Sequence, residues 1–171
     1  MLLVGLSFAI GLALPDLDFA LPFVTHRSAL THSVAPALLV WWQARSGVPV
    51  AGVGLGTGLH LAADTFPNAM VGYATVKFPF AGSIGATWSY AWLALNAVAA
   101  LAIGAAMLRR SGLPHRRVLA VAIAIGGALY LLATDGGWWA LAIVGLAAGA
   151  TSRLFGRDKL RRVVQRLRES R

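Results

Sequence analysis

The sequence predicts an all-α polytopic membrane protein of about six transmembrane helices, followed by a basic amphipathic C-terminal helix. Of its 171 residues, 58% are hydrophobic and 12% are charged, whereas an ordinary soluble domain has about 45–50% apolar and about 25% charged residues. This composition excludes a disordered chain and a collagen-like repeat. The chain has no cysteine, which excludes disulfides, thiolate nucleophiles and Cys-ligated zinc.

The apolar residues fall into six stretches, which we take as the candidate spans. A transmembrane helix needs about 20 apolar residues, with a range of roughly 17–25. The fourth and fifth stretches reach this length, and the second and third are expected to extend into their flanking loops. The first has no basic residue before it and no clean small-x-small cleavage site after it, so we do not expect it to be a signal peptide. The stretches are Met1–Leu14, Ala29–Trp42, Val48–Ala63, Thr87–Leu108, Val118–Thr134 and Gly137–Ala150.

The basic residues predict how the spans are oriented. Eight of the 15 Lys and Arg residues lie in the last 19 positions, and four more flank the loop at 109–117. Because basic residues accumulate on the cytoplasmic side, both termini are expected inside and the loops Pro15–Ser28 and Asp64–Ala86 outside. A five-span alternative with a re-entrant Gly137–Ala150 breaks this asymmetry. The predicted location is the cytoplasmic (inner) membrane of a bacterium or archaeon, with several passes.

The predicted organisation is one membrane domain over residues 1–150 and a basic cytoplasmic tail over residues 151–171. In the tail, apolar residues recur at i, i+3, i+4 and i+7 among arginines, a pattern typical of a helix on an anionic leaflet. Each basic residue contributes about 1 kcal/mol there. Membrane lipids are therefore the expected partners, a homo-oligomer stays open, and nucleic acid is not expected. The apolar residues of this pattern are Leu160, Val163, Val164 and Leu167.

Glycines recur at every second position in the third stretch. They form overlapping small-xxx-small pairs, which let helices approach closely. A nucleotide-binding loop would need a preceding strand, and the sequence offers none. The glycines are Gly52, Gly54, Gly56 and Gly58.

Six of the ten acidic and histidine residues lie in the first 64 positions. The pair Asp16 and Asp18 follows span 1. The pair His26 and His32 lies on either side of the start of span 2, and the pair His60 and Asp64 lies at the end of span 3. An end, a start and an end fall on the same membrane face in any alternating topology, so these side chains are expected to converge at the extracytoplasmic face. They are Asp16, Asp18, His26, His32, His60 and Asp64.

These residues form a plausible ligand set for a metal. His60 and Asp64 are separated by four positions and share one helical face. Ser28 as a helix N-cap would put His32 in the first turn of span 2. Three carboxylates and three imidazoles suit a divalent transition metal, zinc first and manganese or iron as alternatives, better than magnesium or a soft metal. Asp135 and His115 fall outside this set and are interpreted as structural.

The motifs LPDLD, HRSALTHS, GLHLAADTFPN and KFPF resemble the YdjM-type family of bacterial inner-membrane, metal-dependent hydrolases. The resemblance covers roughly residues 1–90, and the HR-x-x-x-THS motif is its most specific part. It implies that the six residues above correspond to the family's motif residues. Ser28 stands where the family usually has glycine, and the family usually begins one helix earlier with a Thr-His pair.

These observations predict a metal-dependent hydrolase of a lipid-linked phosphoester, acting at the extracytoplasmic face. Asp64, or an unligated member of the Asp16/Asp18 pair, would be the general base, and Arg27 would bind the substrate phosphate. The loop Phe66–Phe80 is interpreted as lying in the headgroup layer and admitting the substrate. An aromatic belt is assigned to Trp88, Tyr90 and Trp92.

The same residues allow three alternative functions to be compared with this one. A serine hydrolase is disfavoured because Ser33 and His32 are neighbours, and neighbours on a helix point about 100° apart. An ion carrier is disfavoured because polar groups are sparse in the last three spans. A non-catalytic membrane scaffold or regulator with a structural metal stays open, since ligand identity does not reveal an open coordination position.

Overall fold

The computed structural model describes residues 2–21, 24–44, 47–114, 116–134 and 137–169, with side chains up to residue 153. The described residues form helices joined by short turns and one two-stranded hairpin. Two 3-10 segments, Pro15–Ala20 and Gly72–Ala74, lie between the longer elements. The elements are α1 (Leu2–Ala13), α2 (Ala35–Gln43), α3 (Gly47–Asp64), β1 (Lys77–Phe78), β2 (Gly82–Ser83), α4 (Gly85–Arg110), α5 (Arg116–Leu132) and α6 (Gly137–Glu169).

Helix α3 lies at the centre of the fold, and its glycines let α1 approach on one side. A Cβ at Gly52 would lie 2.5 Å from Ser7 Cβ, and one at Gly56 would meet the carbonyl oxygen of Phe8. Both contacts are closer than a real Cβ can come, so only glycine at these two positions allows α1 and α3 to lie this close together. The first of the two predicted small-xxx-small pairs is therefore the α1 contact.

The second pair faces α4. A Cβ at Gly54 would lie 2.9 Å from the Ala100 carbonyl oxygen, and one at Gly58 would lie 2.8 Å from the Leu101 nitrogen. Residues four apart share a helix face, so the alternating glycines give α3 two separate contact surfaces. Thirteen residues of α3 are buried as a result, which fixes the position of its C-terminal end.

The prediction of about six transmembrane helices is wrong. Among the described residues, one helix, α4 at Gly85–Arg110, is long and apolar enough to cross a membrane by length and composition. Helix α1 is apolar but has only 12 residues, and α5 has 17. Helix α3 has 18 residues, but five of them are glycines and its second half carries Thr57, His60 and Asp64. Apolar composition led to too many predicted spans, because short helices and glycine-rich helices raise the apolar fraction of the chain as much as true membrane-spanning helices do.

The second predicted span begins later than its apolar residues do. Residues 29–34 form turns, and α2 covers only the nine residues Ala35–Gln43. Ser28 is therefore not the N-cap of this helix. Its Oγ accepts a hydrogen bond from the Leu30 nitrogen at 3.3 Å, and the His32 nitrogen donates to the Ser28 carbonyl at 2.8 Å. His32 is held by a local turn that precedes the helix.

The predicted boundary at residue 150 does not coincide with a break in the chain. Helix α6 continues from Gly137 to Glu169, so the sixth apolar stretch and the basic segment form one helix. The side chains of the predicted amphipathic pattern at 160–167 lie outside the described part of the structure, as do residues 170 and 171.

The segment between α3 and α4 folds back onto the segment that precedes α2. Strands β1 and β2 pair antiparallel, with Lys77 opposite Ser83. The Lys77 nitrogen donates to the Arg27 carbonyl at 3.0 Å, and the Ala29 nitrogen donates to the Lys77 carbonyl at 2.8 Å. These two backbone hydrogen bonds hold the histidine-bearing segment against the end of the helical bundle.

Candidate metal centre

The structure brings all six predicted polar residues together at one end of the bundle. The 3-10 segment after α1 carries Asp16 and Asp18, and the turns before α2 carry His26 and His32. The C-terminal end of α3 contributes the remaining two, His60 and Asp64. Thus the expected convergence of an end, a start and an end holds in the folded chain.

The first candidate ligand group consists of Asp16, His32 and His60. One nitrogen or carboxylate oxygen from each lies within 4.8 Å of the others. Asp64 adjoins this group, because its Oδ2 is 3.1 Å from His32 Nε2 and 3.5 Å from His60 Nε2. His60 Nε2 is also 3.7 Å from Asp16 Oδ1. Two imidazoles and two carboxylates therefore surround one point, an arrangement that can hold a metal ion.

The two imidazoles present unpartnered nitrogens to this point. His60 Nδ1 donates to the Leu12 carbonyl oxygen at 2.8 Å, which leaves Nε2 as the nitrogen with a free lone pair. The side chain of His32 has no exposed surface. Nε2 of His32 and of His60 are both buried and form no hydrogen bond. Since buried polar atoms are normally satisfied, a cation between these nitrogens and the carboxylates would supply the missing partner.

A second candidate group consists of Asp16, Asp18 and His26, with ligand atoms again within 4.8 Å of one another. Asp16 belongs to both groups and is the most accessible carboxylate, with a side chain 49% exposed. His26 Nδ1 lies 3.3 Å from Asp18 Oδ1. The two groups thus adjoin each other through Asp16.

Asp18 is buried, and several groups of the histidine segment surround its carboxylate. Its Oδ2 accepts from the Ser28 nitrogen and the Thr31 hydroxyl, each at 3.3 Å, and lies 3.3 Å from His32 Nδ1. A carboxylate facing Nδ1 fixes the ring orientation and tautomer of a metal-binding histidine. Asp18 therefore orients both His26 and His32, whether or not it also binds the metal.

His26 lies between two aromatic rings. Its ring centroid is 4.2 Å from that of Phe19 and 4.0 Å from that of Tyr73, and the Tyr73 ring is stacked on it. Burial lowers the pKa of His26 below its usual value, despite the opposing effect of the Asp18 carboxylate. The neutral imidazole, which is the form that binds metal, is therefore favoured at this position.

Arg27 is buried and bound to the end of α3. Its Nη2 donates to Asp64 Oδ1 at 2.9 Å, and its Nη1 donates to the Ala74 and Asp64 carbonyl oxygens at 2.7 and 3.2 Å. Its φ of 55° lies in the left-handed region, which is strained for a residue with a Cβ. These contacts make Arg27 a positioning residue for Asp64; its predicted role in binding a substrate phosphate stays a prediction.

Charges around the first group shift two pKa values in opposite directions. Burial alone would raise the pKa of Asp64, but the facing imidazoles of His32 and His60 and the Arg27 guanidinium hold it well below its usual range. Burial alone would lower the pKa of His60, but the carboxylates of Asp64 and Asp16 outweigh it and raise the pKa. A positive charge is thus favoured at His60 Nε2, either as a proton or as a metal ion.

Lys77 closes the loop beside the second group. Its Nζ donates to the carbonyl oxygens of His26, Tyr73 and Thr75 at 3.1, 3.0 and 2.8 Å. All three donors of the ammonium group are used in these contacts. Burial, and then the nearby Arg27 charge, lower the pKa of Lys77.

Three residues that sequence reasoning did not assign to the site also support it. The Thr31 hydroxyl lies 3.1 Å from His32 Nδ1, and Trp92 Nε1 donates to the His32 carbonyl at 2.8 Å. Tyr130 Oη is 3.5 Å from His60 Nδ1, and burial together with the charges of Asp64 and Asp16 raises the pKa of Tyr130 to about 12. Thr31 could have been found from its place beside His32, whereas the other two are brought in from distant helices by the fold.

The remaining predicted residues lie elsewhere. The Ser33 hydroxyl donates to the Leu30 carbonyl at 2.9 Å, a contact that gives it no base. Of the predicted aromatic belt, Trp88 is mostly exposed, while Trp92 supports His32. Asp135 and His115 lie outside the described residues. No family model, curated protein or solved structure matches this chain, so its likeness to the YdjM-type family stays a prediction.

Proposed function

We propose that the chain is a metal-dependent hydrolase that cleaves a phosphoester in a lipid-linked substrate. The observation that carries this proposal is the pair of buried, unpartnered nitrogens, Nε2 of His32 and of His60, facing the carboxylates of Asp16 and Asp64. Two carboxylates and two imidazole nitrogens that form no hydrogen bond would be costly to bury together without a cation. A divalent ion satisfies both nitrogens and both carboxylates together.

The ligand chemistry favours zinc, with manganese or iron as alternatives. Imidazole nitrogens and carboxylate oxygens are the usual ligands of these ions. In the proposed arrangement, His32, His60 and Asp16 hold one ion, assisted by Asp64. The adjoining group of His26 and Asp18 accommodates a second ion, with Asp16 shared between the two.

A bound ion of this kind polarises a phosphoryl oxygen and lowers the pKa of a water molecule towards about 7. The chain itself would supply the proton acceptor. Asp64 is bound by Arg27, and Asp18 is occupied by the turns of the histidine segment. Asp16 has a half-exposed side chain. With one ion bound, it would hold that ion through Oδ1, which faces His60 Nε2, and its Oδ2 would take a proton from water as general base.

A structural metal site is normally closed, whereas a catalytic site keeps an open position. The exposure of Asp16 supports the catalytic alternative over a scaffold with a structural metal. The positive charges of Arg27 and Lys77 lie beside the cluster. Because they add to the charge of a bound ion, they favour an anionic substrate, and hence a phosphoester over an amide or glycoside.

Exposed apolar side chains around the cluster support a lipid-linked substrate. Phe19 and Tyr73, which enclose His26, are both more than half exposed, and Phe80 at the tip of the hairpin is fully exposed. Apolar surface of this kind typically marks an interaction with lipid or protein. We therefore also propose that the protein acts at the surface of the cytoplasmic membrane, on its extracytoplasmic side.

The test combines metal analysis with hydrolysis assays on the full-length chain. We expect one or two transition-metal ions per chain, and metal-dependent hydrolysis of phosphatidate that a chelator abolishes. His60→Ala should lose most of the metal and at least about 100-fold in activity, because loss of an outer-shell partner alone costs about 10–100-fold. His115→Ala, at a histidine outside the described residues, is the matched control.

Full metal occupancy in His60→Ala would contradict the proposed ligand set. Stoichiometric metal with no hydrolysis of phosphatidate or of a soluble aryl phosphate would instead favour the scaffold with a structural metal. Hydrolysis of the aryl phosphate alone would retain the phosphoesterase and overturn the lipid-linked substrate.

A further inference from the structure

A cavity of about 410 Å³ lies between α3, α4, α5 and α6, away from the proposed metal ligands. Its volume is within the range of roughly 300–1,000 Å³ that is common for small-molecule sites. The wall consists mainly of large apolar side chains, and none of the six candidate metal ligands lines it. These apolar side chains include Leu55, Leu59, Leu101, Ile123, Leu141 and Val144.

The cavity exists because α5 presents small residues to the rest of the bundle. Ala120, Ala124 and Ala128 line it at intervals of four residues, so they share one face of α5. Gly127 lies beside them, and a Cβ there would be 2.6 Å from Leu59 Cδ1. Larger side chains on this face would fill the space that the alanines leave.

One end of the cavity is strongly basic. Arg109 at the end of α4 and Arg116 and Arg117 at the start of α5 line it, and Arg116 Nη1 donates to the Arg109 carbonyl at 3.1 Å. Among the residues with described side chains, the acidic ones all lie at the metal end of the bundle, so none of them neutralises Arg116 or Arg117 through the cavity. The cavity therefore combines an apolar length with a cationic end.

We propose that this cavity binds a fatty acid, with its carboxylate at Arg116 and Arg117 and its acyl chain along the apolar wall. Guanidinium groups bind carboxylates with two parallel hydrogen bonds, and the acyl chain gains from leaving water. Charge complementarity at one end and apolar lining along the rest together select an anionic amphiphile. The site lies outside the proposed hydrolytic centre, so it goes beyond the proposed function.

The test uses equilibrium dialysis of the purified full-length chain with radiolabelled dodecanoate below its micellar concentration. Dodecanol is the uncharged comparison with the same chain length. We expect saturable binding of one dodecanoate per chain. In the double variant Arg116→Gln/Arg117→Gln, dodecanoate binding should weaken at least about tenfold because a charge-assisted contact is lost. Dodecanol binding should change little.

Filling the cavity tests the acyl-chain part of the site. Gly127→Leu and, from the open side of the cavity, Ala124→Phe should abolish binding of both dodecanoate and dodecanol. Gly126→Leu is the matched control, since a Cβ at Gly126 has no neighbour within 4 Å, and it should bind like the wild type. All variants should retain their metal content, which separates this test from that of the hydrolase.

Absence of saturable dodecanoate binding would overturn the proposal, as would undiminished binding in both Gly127→Leu and Ala124→Phe. Equal binding of dodecanoate by the wild type and the double arginine variant would overturn the placement of the carboxylate. Two other outcomes would exclude the fatty acid. If Gly127→Leu left dodecanoate binding intact but abolished binding to lipid vesicles, the occupant would be a two-chain lipid. If it abolished only self-association, the occupant would be a second copy of the chain.

Discussion

Helices α3 and α5 have almost the same length, 18 and 17 residues, but they are packed very differently. Helix α3 is buried along most of its length, whereas α5 buries only Leu119, Gly127 and Leu131 among its described residues. Two of their glycines differ in the same way, one lying in a tight contact and the other facing open space. Gly56 brings α3 against the backbone of α1, while a Cβ at Gly126 of α5 would meet nothing within 4 Å.

This difference separates two tasks within one small bundle. His60 and Asp64 lie at the end of α3, so their positions depend on tight backbone packing along that helix. A metal site needs its ligands held within about 0.5 Å of the right geometry. The loosely packed α5 leaves a cavity instead, and contributes Tyr130 to the metal end.

The largest effect is expected at Gly56. In Gly56→Ala, the new Cβ would meet the Phe8 carbonyl oxygen and would lie 2.7 Å from the Leu12 nitrogen. Both atoms belong to backbone that cannot move aside cheaply, so the free energy of unfolding should fall by about 2–4 kcal/mol. Chemical denaturation of the metal-free protein measures this change. A loss below about 0.5 kcal/mol would mean that α1 and α3 are not in the close contact described.

An intermediate effect is expected from pH, confined to the α3 end of the molecule. The pKa of His60 is raised in the folded chain, so its protonation stabilises the metal-free fold. That contribution is fully present below the unfolded pKa of about 6.5 and is lost as pH rises through the folded pKa. It amounts to about 1.4 kcal/mol for each pH unit between the two values.

The metal-free protein should therefore lose thermal stability as pH rises above about 6.5, while His60→Gln should show a flatter dependence. Metal-loaded protein should behave oppositely, because protons compete with the ion for the imidazoles. Melting temperatures of both forms across this pH range provide the measurement. An unchanged pH slope in His60→Gln would exclude His60 as the titrating group.

The smallest effect, of opposite sign, is expected at Gly126. Gly126→Ala adds a methyl group on an exposed face of α5 without any contact, and alanine favours the helix by about 0.5–1 kcal/mol over glycine. The free energy of unfolding should rise by no more than this amount. A destabilisation comparable with that of Gly56→Ala would show that α5 is packed as tightly as α3.

The convergence of the polar residues could be predicted because it depends only on the order of apolar and polar segments. Asp16, His26 and Asp64 each flank an apolar stretch, and alternating elements bring such flanks together. The number of membrane-spanning helices was over-predicted for a related reason. Apolar composition does not distinguish a long span from short helices such as α2, and the chain has several of these.

Other parts of the site depend on tertiary packing and had no signal in the sequence. Trp92 and Tyr130 lie 60 and 70 positions from the histidines they contact. The hydrogen bond from His60 Nδ1 to the Leu12 carbonyl leaves Nε2 as the nitrogen that can bind a metal. This bond requires the close approach of α1 and α3. The sequence shows the charge of Arg27 but not its partner, so Arg27 is assigned to the substrate from the sequence. Its ion pair with Asp64 appears only in the folded structure.

The contacts of Lys77 have a consequence for how the centre responds to chelation. Its ammonium group joins the carbonyl oxygens of His26, Tyr73 and Thr75, as a coordinated ion does, but it is tethered to the chain and cannot diffuse away. Removing a dissociable metal would therefore leave the His26 segment still fastened to the hairpin. The coordination shell would persist as a preformed receptor, able to lose its ion and take up another without refolding.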